Sequence, residues 1–282
     1  MAISFTNITK AFQQNTNGFG TRQIQALLPV EFDIKTGEFF CIIGPSGCGK
    51  STLLNVLAGL EKPDTGRVAV DGVAVTGPGP DRAVVFQEAG LMPWMTVRKN
   101  VEYGLKLQGL SKDERKDKAE IYLRMVHLLK YANSLPHQLS GGMRQRVSIA
   151  RALALEPKVL LMDEPFSALD AQTRDLLHEE LQRIWQETGK TIVFVTHNLR
   201  ESVYLADRVL IMTAAPGSIK KIVHIPFAHP RSKSSADVSM FTAELHELIK
   251  SEVEKVAKDQ LDADWVPEAA VTRSDEQFGT GI

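Results

Sequence analysis

Residues 44–51 read Gly-Pro-Ser-Gly-Cys-Gly-Lys-Ser and match the pattern G-x-x-x-x-G-K-[ST] at every fixed position. An apolar run precedes them and a helix-compatible run follows, so a glycine-rich turn that merely joins strand to helix is the weaker interpretation. Glycines let backbone N–H groups surround an anion, and the following helix adds positive partial charge beneath it. The lysine of the pattern reaches the β- and γ-phosphates, and the last hydroxyl holds Mg²⁺. We therefore predict a nucleotide-phosphate and Mg²⁺ site formed by Gly44, Pro45, Ser46, Gly47, Cys48, Gly49, Lys50, Ser51 and Thr52.

Two adjacent carboxylates end a second apolar run, Val-Leu-Leu-Met-Asp-Glu, at Asp163 and Glu164. Opposite a phosphate loop, Asp163 can position Mg²⁺ directly or through water, and Glu164 can polarise the attacking water. A buried strand with an acidic end is common, so this segment alone does not indicate a catalytic site. Together with the phosphate loop it does, because the two segments must meet across one site.

A second candidate anion site lies at 139–146, Leu-Ser-Gly-Gly-Met-Arg-Gln-Arg. Ser140 is a natural N-cap, and Gly141 and Gly142 expose backbone N–H groups at the start of the predicted helix. A capped helix without a ligand is the alternative. Two phosphate-binding helix ends so far apart in one chain need an explanation that a single subunit does not provide.

These segments resemble the ABC transporter ATPase family, whose signature begins Leu-Ser-Gly-Gly, and the resemblance covers roughly residues 3–225. It implies a head-to-tail dimer in which the loop of one subunit and the signature of the other hold one ATP. The second ATPase subunit is then either another copy of this chain or a close relative. The resemblance thus implies ATP hydrolysis, with ATP as the nucleotide and Mg²⁺ as its metal.

The resemblance also implies individual roles. Gln87 senses Mg²⁺ and attacking water and links to the transmembrane partner, His197 contacts the γ-phosphate, and Phe12 stacks on adenine, with Phe19 a less favoured candidate. Met143 and Asn198 depart from common family residues without removing a backbone phosphate ligand. The predicted catalytic residues are Lys50, Gln87, Glu164 and His197; the metal ligands are Ser51, Gln87 and Asp163; and 167–170 is the segment that contacts the opposite subunit.

Within the family, the segments 77–82, 85–87, 91–94 and 214–219 look most like the nitrate/sulfonate/taurine importer subfamily. This resemblance implies uptake of a small anionic solute, integral-membrane permease subunits as partners and, indirectly, a solute-binding protein. It places the chain peripherally at the cytoplasmic face of the inner membrane. The apolar stretch 91–95 is either a groove for a partner helix or a packing corner.

Composition limits the other function classes. The chain has 282 residues, 43% hydrophobic and 24% charged, with a formal net charge of −1, so no basic excess favours a nucleic-acid partner. The thiols of Cys41 and Cys48 are expected to be reduced, as in a cytosolic protein. We find neither a signal-peptide pattern at the N-terminus nor an apolar run of about 18 residues that would span a membrane.

The periodicity of hydrophobic residues predicts the strands and helices that carry these motifs. Alternation predicts strands at 3–8 and 30–34 and a hairpin turn at Asp71-Gly72, whereas the polar stretch 13–22 is predicted as a loop. Helical spacing predicts helices around Val97, Val101 and Leu105 and around Ile121, Met125, Leu128 and Leu129.

Strands return at 158–162, 191–195 and 208–212, and the helix between the first two has Asp170 as its N-cap and Gly189 just past its end. This alternation predicts a parallel sheet. Near the C-terminus, one amphipathic helix is marked by Phe241, Leu245, Leu248, Ile249 and Val253, followed by a loose segment at 263–282.

The predicted fold class is α/β, with a RecA-like phosphate-loop ATPase core, an antiparallel β subdomain and an inserted helical subdomain. The ATPase domain spans 1–225, divided into a core with the β subdomain (1–87 and 156–225) and a helical signature subdomain (88–155). Residues 226–282 are a C-terminal extension.

Two other functions remain open from the sequence. A soluble ABC ATPase that remodels macromolecular complexes would usually bring a long coiled coil or paired ATPase domains, and neither is evident here. A phosphate-loop kinase acting on a metabolite would leave Ser140–Gly142 and His197 unexplained.

Overall fold

The computed structural model describes residues 3–16, 20–232 and 235–260. It contains two β-sheets with helix α1 (Lys50–Ala58) between them, in contact with strands of both. Apolar side chains of α1 and of the facing sides of the two sheets form one core, and the opposite side of the larger sheet forms a second core with the remaining helices. The α/β fold class predicted from the sequence is confirmed.

The smaller sheet has the strand order β2-β1-β4-β5 and is antiparallel. Its strands are β1 (Ile3–Thr16), β2 (Gly20–Ile34), β4 (Thr65–Val70) and β5 (Val73–Ala74). Asp71 and Gly72 join β4 to β5 with φ angles of 48° and 80°, so the predicted hairpin turn is present.

The loop predicted at 13–22 is wrong where the structure describes that stretch. β1 extends to Thr16 and β2 begins at Gly20, with Gln13 paired to Gln23 and Thr16 to Gly20. Gln13, Arg22 and Gln23 are exposed. Because these exposed residues pair through their backbones, the stretch lacks the apolar alternation by which strands are recognised.

The larger sheet has the order β10-β9-β3-β8-β7-β6 and is parallel except for the edge strand β10. Its strands are β3 (Phe39–Ile43), β6 (Arg82–Val85), β7 (Val159–Asp163), β8 (Thr191–Val195), β9 (Arg208–Met212) and β10 (Ile219–His224). β3 and β8 are buried along their whole length, which explains their unbroken apolar sequences. Parallel pairing brings the carboxyl ends of β3, β7 and β8 to one edge.

Three helices lie between β6 and β7 in the chain: α2 (Val97–Leu107), α3 (Lys112–Met125) and α4 (Gly141–Ala154), with short 3₁₀ turns at Leu129–Tyr131 and Pro136–Gln138. The helix predicted as far as Leu129 ends at Met125, because the backbone at His127 has a φ of 57°, which is incompatible with a helix. We propose that these helices form an inserted subdomain of residues 88–155.

Two more helices follow the strands of the larger sheet: α5 (Ala171–Thr188) and α6 (Leu199–Leu205). The side chain of Asp170 accepts a hydrogen bond from Thr173 N at 2.9 Å, and Gly189 ends α5 with a φ of 60°, so both predicted helix limits are confirmed.

Helix α7 (Ala236–Gln260) contains the predicted amphipathic pattern and packs on α6, with Val238, Leu245 and Ile249 buried. The segment predicted as loose, 263–282, lies outside the described residues. None of the described helices is long and apolar enough to cross a membrane.

A buried carboxylate ties α7 to the turn between β9 and β10. Glu252, 3% exposed, accepts hydrogen bonds from Lys220 Nζ (2.9 Å), Lys255 Nζ (3.0 Å) and Ala214 N (3.1 Å). Burial alone would raise the pKa of Glu252, but these hydrogen bonds outweigh it and lower the pKa to about 2.

The same turn reaches the phosphate loop through Gly217. Gly217 N donates to Ala26 O (2.9 Å), and Gly217 O accepts from Leu28 N (2.8 Å), so the turn pairs with β2. A Cβ at position 217 would lie 1.9 Å from the carbonyl oxygen of Cys48. Only glycine allows this approach, and the turn, β2 and the phosphate loop are therefore in direct contact.

Candidate active site

The phosphate loop connects the end of β3 to the start of α1. Gly47 and Gly49 have φ angles of 76° and 93°, which L side chains rarely adopt, so the backbone can curl around the start of the helix. The first turn of α1 contains no acidic residue that would repel an anion. Lys50 is 6% exposed, and its Nζ donates to Gly44 O (2.9 Å) and Pro45 O (2.8 Å), which holds the ammonium over the loop.

The predicted metal ligands Ser51 and Asp163 meet across the sheet edge. Ser51 Oγ donates to Asp163 Oδ1 at 3.1 Å. Burial raises the pKa of Asp163, the hydrogen bond from Ser51 and the charge of Lys50 oppose this shift, and the nearby charge of Glu164 adds to it. A cation bound here would relieve that unfavourable environment.

The donor set at this position fits Mg²⁺. A hydroxyl and a carboxylate are oxygen donors, as Mg²⁺ requires, and Mg²⁺ usually takes one or two carboxylates together with substrate phosphates and water. Within the described ranges, no cluster of three or more His, Cys, Asp or Glu side chains could hold a metal. Phosphate oxygens and water would therefore complete the coordination.

Glu164 and His197 form the second pair at this edge, since β7 and β8 are neighbours. His197 Nδ1 lies 2.9 Å from Glu164 Oε2, and Glu164 N donates to Val195 O at 3.0 Å. The side chain of His197 is 60% exposed and that of Glu164 is 24% exposed. Because Nδ1 faces the Glu164 carboxylate, Nε2 is the nitrogen left for a substrate oxygen, to which it donates when the ring carries both protons; the carboxylate remains accessible to water.

The signature segment begins α4, as predicted. Ser140 Oγ accepts from Met143 N at 3.3 Å, and Gln145 Nε2 donates to Phe86 O at 3.1 Å, which joins the first turns of α4 to the end of β6. Met143 packs against the core, so its side chain takes no part in presenting the backbone N–H groups of Gly141.

The structure separates the predicted site residues into two groups. Gly44, Pro45 and Ser46 line a cavity of about 470 Å³ together with His197 and residues of α7. Gln87 and Gly141 line a different cavity of about 450 Å³, which also includes Ala168 and Leu169 of the segment predicted to face a second subunit. One chain therefore brings the loop, Asp163, Glu164 and His197 together, and holds the signature with Gln87 elsewhere.

Phe12 lies on β1, opposite Ile24 of β2, and is 39% exposed. Lys10 Nζ lies 5.0 Å from the ring centroid, so one face of the ring already carries a cation. The exposure suits stacking on a base. The alternative candidate, Phe19, lies outside the described residues.

Sequence reasoning missed the part of α7 that lines the cavity beside the phosphate loop. His246, Ile249 and Lys250 are among its lining residues. The spacing of apolar residues identified the helix but contained no signal for its neighbour, because that contact joins segments about 200 residues apart.

Comparisons with known proteins find relatives of one family. A family model described as "ABC transporter" matches residues 27–167. An uncharacterized ABC transporter ATP-binding protein of Methanocaldococcus jannaschii is 49% identical over 256 residues, which is 91% of this chain and 94% of that protein. The nitrate import ATP-binding protein of Synechocystis sp. is 50% identical over 222 residues, 78% of this chain and 81% of that protein.

The aliphatic sulfonates import ATP-binding protein of Bacillus cereus is 44% identical over 236 residues, 83% of this chain and 90% of that protein. Among solved structures, a dimeric ATP-binding cassette in a post-hydrolysis state, bound to ADP and Pi, has a TM-score of 0.70 and 35% identity. The match covers 80% of this chain and 100% of the chain in that structure.

Proposed function

The chain belongs to the ABC transporter family, and we propose that it hydrolyses ATP as a subunit of an importer for a small anion of the nitrate or sulfonate type. The observation that carries this proposal is the edge of the larger sheet, where the phosphate loop meets the Ser51–Asp163 pair and the Glu164–His197 pair. The printed functions of the nitrate and sulfonate relatives support import as the purpose of hydrolysis.

The roles of the residues follow from their chemistry. Lys50 binds phosphate oxygens through an ammonium that loop carbonyls already position. Glu164 polarises the attacking water, and His197 offers Nε2 to the γ-phosphate. Ser51 and Asp163 hold Mg²⁺, which when bound neutralises developing phosphate charge. Gln87, two residues after β6, lines the same cavity as Gly141, and from there it would link the nucleotide site to the helical subdomain.

The ATP site is completed, in this proposal, by a second subunit in a head-to-tail dimer. The loop and Gly141 of the signature line different cavities of one chain, so the exposed Ser140 and Gly141 of one copy are available to the nucleotide on the other. ATP that binds the closed dimer better than the open one shifts the population toward closure, and hydrolysis removes that bias. Closure is the movement that would drive the permease.

A mixing experiment tests the shared site. Lys50→Ala disables the loop, whereas Ser140→Asp keeps an N-cap but places a negative charge where phosphate would bind. Each variant alone should be inactive. In an equimolar mixture, half of the dimers contain one copy of each variant. Each such mixed dimer has one intact site, formed by the intact loop of one copy and the intact signature of the other. ATP hydrolysis should therefore return to roughly a quarter of the wild-type rate.

The mixture distinguishes a site shared between two subunits from a site contained in one. Failure of the mixture to hydrolyse ATP, when each variant still dimerises with wild-type chain, would contradict the shared site. Activity in Ser140→Asp alone would show that the signature does not face phosphate.

The permease is proposed to dock near the start of α2. Trp94, just before α2, is 75% exposed, and Leu107, the last residue of α2, is 73% exposed. A cavity of about 310 Å³ along α2 is lined by Met95, Lys99, Glu102, Tyr103, Lys106 and Arg115. A large exposed aromatic beside such a groove is typical of a helix-docking surface. Docking here would hold the chain at the cytoplasmic face of the membrane.

Co-purification tests this part of the proposal. The wild-type chain, expressed with its membrane subunits, should be retained by a tagged permease, and Trp94→Ser should reduce retention while ATP binding is unchanged. Leu60→Ser is a matched control, because Leu60 is an apolar side chain, 50% exposed, that does not line this groove. Stimulation of ATP hydrolysis by nitrate or by an alkylsulfonate, in the reconstituted complex with its binding protein, would identify the solute.

A further inference from the structure

A buried network supports the turn that carries His197. This turn, Thr196-His197-Asn198, joins β8 to α6. Thr196 Oγ1 accepts from Asn198 N at 3.0 Å and donates to Glu201 Oε2 at 2.5 Å, and Asn198 Oδ1 accepts from Glu201 N at 3.3 Å. The neighbours of His197 on both sides are therefore fixed by one carboxylate and one amide, although His197 itself is exposed.

The network continues to α5 through His178. His178 Nε2 lies 2.8 Å from Glu201 Oε1, and both side chains are buried, 4% and 5% exposed. Glu201 thus uses one oxygen for Thr196 and the other for His178. A buried carboxylate that loses one of these partners must find another or move, because an unpaired charge in the interior is strongly unfavourable.

His178 also contacts the segment that carries Glu164. Its ring packs edge-on against Phe166, with centroids 5.4 Å apart, and Phe166 is 1% exposed. Phe166 follows Glu164 by two positions in the chain. One imidazole therefore touches the segments that bear both members of the Glu164–His197 pair.

We propose that His178 is a positioning residue for hydrolysis, which with Glu201 and Thr196 holds His197 within reach of Glu164. It contacts neither substrate nor the reacting atoms. Helix α5, which carries His178, begins directly after the segment 167–170, and we expect this segment to contact the second subunit. His178 therefore also connects the contact between the subunits with His197. This inference rests on the proposed function and deepens it.

The principal test compares two replacements of His178. His178→Leu removes the hydrogen bond to Glu201 and should lower kcat at least about tenfold while KM for ATP changes less than about twofold, since only the reacting geometry is altered. His178→Gln retains an N–H donor at similar reach and should restore kcat to within about threefold of wild type.

Gln182→Leu is the matched control. Gln182 lies one turn later on α5, is 3% exposed, and its Nε2 lies 2.8 Å from His229 Nδ1, so this change removes a part-buried side-chain hydrogen bond of the same helix outside the network. Its kcat should stay at the wild-type value. A fall in kcat equal to that of His178→Leu would mean that damage to α5, not positioning, is responsible.

A double-mutant cycle separates this inference from the function on which it rests. With His197→Ala, adding His178→Leu should cause little further loss of kcat, because the residue being positioned is gone. Equal fold losses in both backgrounds would overturn the positioning role and leave the proposed function intact. Wild-type kcat in His197→Ala alone would instead contradict the role of His197.

If His178→Leu does not fold, Thr196 provides the same comparison. Thr196→Val has nearly the same shape but lacks the hydroxyl, and it should lower kcat without changing KM, whereas Thr196→Ser retains the hydroxyl and should keep most of the activity. Equal kcat values for the two Thr196 variants would contradict the proposal.

Discussion

The attachment of α7 includes one buried charge beside its apolar contacts, and Glu252→Gln should loosen it. Glutamine preserves the size of the side chain and can still accept a hydrogen bond from Ala214 N, but it no longer attracts Lys220 and Lys255. The pKa of Glu252 in the folded chain, about 2, is below its ordinary value of 4.5. A lowered pKa means that the ionised form stabilises the fold, fully above about pH 4.5 and progressively less as the pH falls toward 2.

The size of the effect follows from that shift. A difference of 2.5 between 4.5 and about 2 corresponds to an upper limit of about 3 kcal/mol. The side chains of Lys220 and Lys255 are 27% and 61% exposed, so water screens part of the attraction. We therefore expect Glu252→Gln to reduce the free energy of α7 attachment by about 1–2 kcal/mol at pH 7.

Hydrogen exchange measures this local attachment. The amides of α7 should exchange roughly five- to thirtyfold faster in Glu252→Gln at pH 7. Glu247→Gln is the control, because Glu247 lies on the same helix but is 70% exposed and its ion pairs are long, at 3.9 Å. Urea unfolding should show the difference between wild type and Glu252→Gln shrinking as the pH is lowered from 5 to 2. Equal exchange in the two variants at pH 7 would refute the reasoning.

Three further changes test the nucleotide site. Glu164→Gln should retain ATP binding, hydrolyse ATP at least about a hundredfold more slowly and accumulate as a dimer on gel filtration; wild-type turnover would exclude Glu164 as the group that activates water. Lys50→Ala should weaken ATP binding at least about tenfold in a titration, and undiminished affinity would contradict the phosphate-loop assignment. Gly217→Ala should lower the free energy of unfolding by about 1–3 kcal/mol and also weaken ATP binding, because its Cβ would displace Cys48; unchanged thermal unfolding would show that the turn is free to move.

The parts of the site that the sequence predicts well depend on local chemistry. The cap at Ser140 and the helix limits at Asp170 and Gly189 follow from side chains that satisfy their own backbone. The meeting of Ser51 with Asp163 follows from parallel strands, whose carboxyl ends share one edge. The caps require no knowledge of distant contacts, and the Ser51–Asp163 contact requires only the parallel sheet that the alternation of strands and helices predicts.

The rest depends on tertiary contacts that leave no periodic signal. β1 and β2 pair through their backbones at 13–16 and 20–23, where the polar sequence is typical of a loop. His178 and Glu201 are charged or polar residues in ordinary helical sequence, and only their burial against each other and Thr196 reveals a network. Spacing along the chain cannot identify such a cluster, because its members come from three separate elements.

The turn around Gly217 has a consequence for the choice of nucleotide. It holds β2, and with it the hairpin that carries Phe12, at a set distance from the phosphate loop through backbone contacts. Stacking on an aromatic ring accepts any purine, since every base has a π-face. A set spacing, in contrast, fixes the span from the base to the β-phosphate, which ADP and ATP share and a nucleoside monophosphate lacks. We therefore expect the chain to distinguish a monophosphate from a di- or triphosphate far more strongly than adenine from guanine.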